Sequence, residues 1–243
     1  MDTTSPLSPS HASVEAHPAK PTIVLVHGAW AESTSWSAVI ERLTAAGFPV
    51  KAIANPLQGL TADSAHLASY LHSITGPMVL VGHSYGGAVI TNIDTSSFDV
   101  KALVYIAGFI PTKGETVGQL AAQSTPTLPL VTTEVDGGAE VMIEPTAFRE
   151  AFAADVDQAT AAVLSVVQRP ANVKAVTEAT EHESFTSVPS WALIPRQDQA
   201  INPALQRAMA GRTTAQVVEV DASHAVMVSR PQVVADLIEA AAG

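Results

Sequence analysis

The stretch Met78-Val79-Leu80-Val81-Gly82-His83-Ser84-Tyr85-Gly86-Gly87-Ala88-Val89-Ile90 decides the fold. Met78 to Val81 is a short, unbroken apolar run, as expected of a strand covered on both faces. Ala88, Val89 and Ile90 open an apolar helix. The turn between them is a G-x-S-x-G. A serine on so sharp a strand-to-helix turn needs small neighbours two residues away on either side, because bulky side chains there would collide. Gly82 and Gly86 meet that need. The helix that follows aims its first amides at the serine, where negative charge can be stabilised. This is the pattern of a nucleophile elbow. A phosphate-binding glycine loop is the competing reading, and the lysine such a loop carries is missing.

Outward from the elbow, short apolar runs alternate with helical periodicity, which predicts an α/β fold with a mostly parallel sheet flanked by helices. Six strands are expected: Thr22 to Val26, Phe48 to Ile53, Met78 to Val81, Lys101 to Ala107, Trp191 to Ile194 and Ala215 to Val220. Trp36, Val39, Ile40 and Leu43 fall at helical spacing ahead of Gly47. Leu67, Tyr70, Leu71 and Ile74 repeat the spacing ahead of Gly76. Val234, Leu237, Ile238 and Ala241 do so after the Ser229 and Pro231 start signals. Residues 112–188 break the alternation with a polar, Gly- and Pro-containing run followed by Ala-rich segments. They are expected to form a helical cap insertion over the sheet.

Composition bounds the rest. With 47% hydrophobic and 14% charged residues in 243, the chain is rich enough in apolar side chains to bury a full core. The formal net charge of -11, with lysines scattered, argues against a nucleic-acid partner. The absence of cysteine removes disulfides, thiolate metal sites and cysteine nucleophiles together. No apolar run reaches the ~20 residues of a membrane span. Residues 1–21 read as a flexible arm, and residues 22–243 as one domain. A cytoplasmic location is expected, with secretion after signal removal as the alternative.

A serine hydroxyl needs a base to take its proton, and of the eight histidines His224 is the candidate. It follows the strand ending at Val220 and precedes the last helix, which sets it at the same sheet edge as Ser84. The acid that orients it is expected on the loop after the preceding strand, where Asp198 stands. The chain order is then Ser84, Asp198, His224. Asp221 is the alternative acid, read instead as a turn or capping residue. An oxyanion hole needs two backbone amides. Tyr85 supplies one, and Ala29, in His27-Gly28-Ala29-Trp30 after the first strand, the other. His27 is read as structural. Gly28, Trp30 and Ala225 are placed at the substrate, although Trp30, like Trp36, is read chiefly as packing.

With these residues in view, the span from Thr22 to Ala241 resembles the α/β-hydrolase superfamily. Ile23 to Trp30, Tyr85-Gly86-Gly87, Gln197-Asp198-Gln199-Ala200-Ile201 and Ala222-Ser223-His224 resemble the branch of plant methyl esterases, hydroxynitrile lyases and their bacterial esterase relatives. The lyases of that branch carry a threonine after the first strand's histidine and a lysine after the catalytic histidine. Gly28 and Ala225 stand there in this chain, which disfavours lyase chemistry. The resemblance therefore implies a serine carboxylesterase for small, fairly apolar esters, thioesters or lactones. It would work without metal or cofactor, as a monomer or homodimer. A slow-turnover sensor of small ligands on the same fold is the alternative.

Overall fold

Continuous burial along the central apolar strands, with successive side chains on opposite faces, builds two cores, one on each side of the six-stranded sheet. The computed structural model describes residues 20–136 and 138–243. The arm expected over residues 1–21 lies, but for Lys20 and Pro21, outside them. The first half of the chain runs β1 (Thr22–Val26), α1 (Ser37–Ala45), β2 (Val50–Ile53), α2 (Leu60–Leu71), β3 (Met78–His83), α3 (Tyr85–Thr91) and β4 (Val100–Ile106). Then come α4 (Val117–Ala121), β5 (Leu130–Val135), β6 (Gly138–Ile143), α5 (Phe148–Phe152), α6 (Gln158–Val166), β7 (Ala171–Asn172) and α7 (Lys174–Thr177). β8 (Ser190–Pro195), α8 (Pro203–Ala210), β9 (Gln216–Val220), α9 (Val226–Ser229) and α10 (Pro231–Ala242) complete it.

All six expected strands are present, in the parallel order β2-β1-β3-β4-β8-β9. Val24, Val26, Leu80, Leu103 and Tyr105 face α2, α3 and α8. Ile23, Leu25, Val79, Val81, Val104 and Ile106 face α1 and α10. The period of two along each strand thus feeds both layers at once. The strand order reverses between β1 and β3, and the carboxyl ends of strands at such a switch point are where α/β sheets form their crevices.

The 112–188 segment departs from the helical expectation. It contains a second, three-stranded antiparallel sheet, β5-β6-β7, alongside short helices. Exposure explains the difference. Along β5 nearly every side chain is open to solvent, and on β6 only Val141 and Ile143 are buried, so the hairpin shows no apolar periodicity to read. Among the described residues, no helix is long and apolar enough to cross a membrane.

Candidate active site

Ser84 sits between β3 and α3 with φ 53° and ψ -121°, a backbone conformation that is costly for a residue with a side chain. Its own peptide groups hold it there. The Ser84 amide donates to the Ile106 carbonyl at 3.1 Å, and the Ser84 carbonyl accepts from the Gly87 and Phe109 amides at 3.0 Å each. The glycines are required by contact. A Cβ on Gly82 would overlap the Gly86 backbone, and one on Gly86 would overlap the Val26 carbonyl oxygen.

The loop after β1 presses against this turn. A Cβ on Gly28 would lie 2.7 Å from the Ser84 Cβ. Gly28 therefore lies directly against the serine, and Ala29 is the next residue along this loop. Neither the Ala29 nor the Tyr85 amide donates to any described residue. Trp30 does not contribute an amide, because its own donates to Arg169 O at 3.2 Å, while its indole donates to Val141 O at 2.8 Å. It ties the β1 loop to the 112–188 segment. The Tyr85 ring is anchored away from the turn by its hydroxyl, which donates to buried Asp63 at 2.7 Å.

Asp198 and His224 are brought together, both fully buried. The His224 Nδ1–H donates to Asp198 Oδ2 at 2.7 Å. The other carboxylate oxygen accepts the Ala200 and Ile201 amides at 2.8 and 2.9 Å. With Nδ1 as donor, Nε2 is the basic nitrogen, and it is buried without a partner. Ser84 and His224 are not joined by a hydrogen bond in this conformation. Such bonds are commonly long before substrate binds. Asp221, the alternative acid, lies at the surface paired with Arg196 at 2.8 Å.

His27 is structural, as read. The Asn55 amide donates to its Nε2 at 3.0 Å, so its proton is on Nδ1, facing the Gly28 carbonyl at 2.8 Å. Burial lowers its pKa to about 4. His83, the residue before the serine, packs behind His224. Its ring lies 4.7 Å from that of His224, and its Nε2 donates to the His224 carbonyl at 3.1 Å. Burial holds it neutral, well below the usual histidine range. Gln206 had no signal in any motif. It donates to Asp198 Oδ2 at 2.8 Å from α8.

The chain is a member of the α/β-hydrolase family. The profile of the alpha/beta hydrolase family matches residues 23–237. A carbendazim hydrolyzing esterase of Nocardioides sp. (strain SG-4G) is 30% identical over 128 residues, which is 47% of this chain and 52% of that protein. The chain thus matches about half the length of that curated relative. A pyrethroid hydrolase from Sphingobium faniae JZ-2 shares the fold with a TM-score of 0.76 at 22% identity, over 91% of this chain and 97% of the other. Polyneuridine aldehyde esterase does so with a TM-score of 0.78 at 18% identity, over 91% and 99%. The branch that the motifs resemble is therefore represented among structures of this fold.

Within this α/β-hydrolase, a crevice of about 10 Å³ is bounded by Trp30, Phe148, Phe152, Leu164, Ala225 and Val228. The Phe152 ring packs 4.7 Å from the His224 ring, and its carbonyl accepts the Ala225 amide at 2.9 Å. Trp30 and Ala225 are both in this wall, whereas Gly28 lies against the serine. Among the described residues, no cluster of histidines and carboxylates is arranged to hold a metal ion.

Proposed function

We propose that the protein is a serine carboxylesterase acting on small, fairly apolar esters. The observation that carries this reading is the buried Asp198–His224 pair, with its basic nitrogen unpartnered at the sheet edge where the elbow presents Ser84. His224 takes the Ser84 proton as the hydroxyl attacks the ester carbonyl. The Ala29 and Tyr85 amides receive the oxyanion, and Asp198 holds the ring and stabilises the imidazolium. The imidazolium returns its proton to the leaving alkoxide, and water repeats the sequence to release the acid.

The aromatic and aliphatic wall formed by Trp30, Phe148, Phe152 and Ala225 supports an apolar substrate. So does the curated relative, named as an esterase. Since so small a crevice admits no ester, residues 112–188 act as a cap that parts from Trp30 and Ala225 when substrate enters. That closure also favours a second reading, a sensor that acylates and barely turns over. Incubation with a fluorophosphonate, followed by mass mapping and steady-state assays on a series of p-nitrophenyl esters, tests both. Labelling at Ser84 with sustained hydrolysis is expected. Labelling with a single burst supports the sensor, and absence of labelling refutes both.

A further inference from the structure

α8 is an amphipathic helix whose buried face is apolar at Leu205, Met209 and Ala210. Gln206 interrupts that face and is 3% exposed. Its side-chain nitrogen lies 2.8 Å from two acceptors, Asp198 Oδ2 and the Ile201 carbonyl. Because both are acceptors, the atom facing them must be the NH₂ group. The Oε1 is then forced into the core, where it has no partner. A buried carbonyl left unpaired is unfavourable, and Met or Leu at this position would avoid it. The arrangement is unfavourable for folding but places one N–H donor on the Asp198 carboxylate and the other on the Ile201 carbonyl beside it.

We propose that Gln206 is a positioning residue that sets the basicity of His224 by acting through Asp198. This rests on the esterase reading above. Asp198 Oδ2 is shared between two donors, Gln206 and His224, while Oδ1 is taken up by two backbone amides. Every lone-pair direction of the carboxylate is thereby assigned, and its position is fixed relative to the ring. The Gln206 donor also draws charge from the oxygen that faces His224, so the imidazolium is stabilised less than by an unshared carboxylate.

The other ionisable groups around His224 leave that assignment in place. His83, at 4.7 Å from the β3 side, is neutral, and His27 behind it is neutral above about pH 4. Asp155, from the segment after α5, accepts from the Ser223 hydroxyl and lies 3.7 Å from Arg230, so its charge is directed to those groups.

The test compares the wild type with Gln206→Met and Gln206→Leu, using kcat/KM against pH on a p-nitrophenyl ester and fluorophosphonate labelling of Ser84. In the variants the acidic limb of kcat/KM is expected to rise by about half a unit to one unit. kcat at neutral pH falls, KM is unchanged, and labelling persists. A limb at the wild-type position in a folded, labelled variant overturns the proposal. An unlabelled, inactive wild type would instead overturn the esterase reading. A measurement on the wild type covers the case in which neither variant folds. The Gln206 side-chain amide resonances are expected to titrate together with the acidic limb, and their invariance through that range overturns the proposal.

Discussion

The elbow and the 112–188 segment meet at the same end of the sheet but are held by different means. Around Ser84 the constraints are backbone against backbone: Gly82 on Gly86, Gly86 on Val26, and the Ser84 carbonyl held by the Gly87 and Phe109 amides. The segment is held chiefly by side chains, such as Phe152 on His224 and the Trp30 indole on Val141, with isolated backbone hydrogen bonds from Ala225 to Phe152, Trp30 to Arg169 and Asn172 to Leu57. Backbone constraints tolerate no side-chain substitution, whereas side-chain contacts can be repacked or opened. One region is closed to substitution and the other yields to it.

The largest effect that would break this contrast falls on the fixed side. Ser84→Ala is expected to lower kcat/KM by about 10⁴-fold or more while leaving the urea midpoint of unfolding close to the wild-type value. Undiminished hydrolysis would remove Ser84 from the mechanism. Gly86→Ala adds a single methyl against a carbonyl that has no room to retreat. It should destabilise the fold by at least ~3 kcal/mol in chemical denaturation or abolish soluble expression, and near-neutrality would show that the turn is not sterically locked.

The third test concerns His27, which stands under the elbow. Its folded pKa of about 4 lies below the ordinary value of 6.5, because burial disfavours the charged form. Between those values the unfolded chain binds a proton that the folded one refuses. Stability present above pH 6.5 is therefore lost as pH falls toward 4, by roughly 3 kcal/mol over the window. His27→Gln should flatten that part of a stability–pH curve measured by urea titration, and an unchanged slope would assign the loss to other groups. The smallest effect is a control outside both regions. Asp221→Asn at the exposed Arg196 pair should change stability by under ~0.5 kcal/mol and leave hydrolysis intact. A large loss of activity would restore Asp221 as a candidate acid.

The same contrast explains what could be read without coordinates. The fixed region declares itself because each constraint selects a residue type: glycine where backbones touch, and continuous aliphatic runs where a strand is covered twice. The central sheet strands follow from such runs, the edge strands β2 and β9 from shorter and more exposed ones, and Ser84, Asp198 and His224 from their places after β3, β8 and β9. The yielding region selects little, so the β5-β6-β7 sheet stayed hidden behind exposed Thr132, Thr133 and Glu134, which a loop would carry equally well. Gln206 and His83 stayed hidden for a different reason. Each does its work through one polar atom aimed at a residue far away in sequence, and nothing in its neighbours' identities records the partner. A buried glutamine between Leu205 and Met209 becomes anomalous only once the helix face is known to be covered.

The strand order carries a further consequence for biosynthesis. The elbow is framed by β3, β4 and the β1 loop, whereas the Asp198–His224 pair is supplied by loops after β8 and β9, far later in the chain. A nascent chain halted after Phe109 but before His224 therefore carries the residues that frame Ser84 without the histidine of the pair. The pair is added only after the whole 112–188 segment has been synthesised.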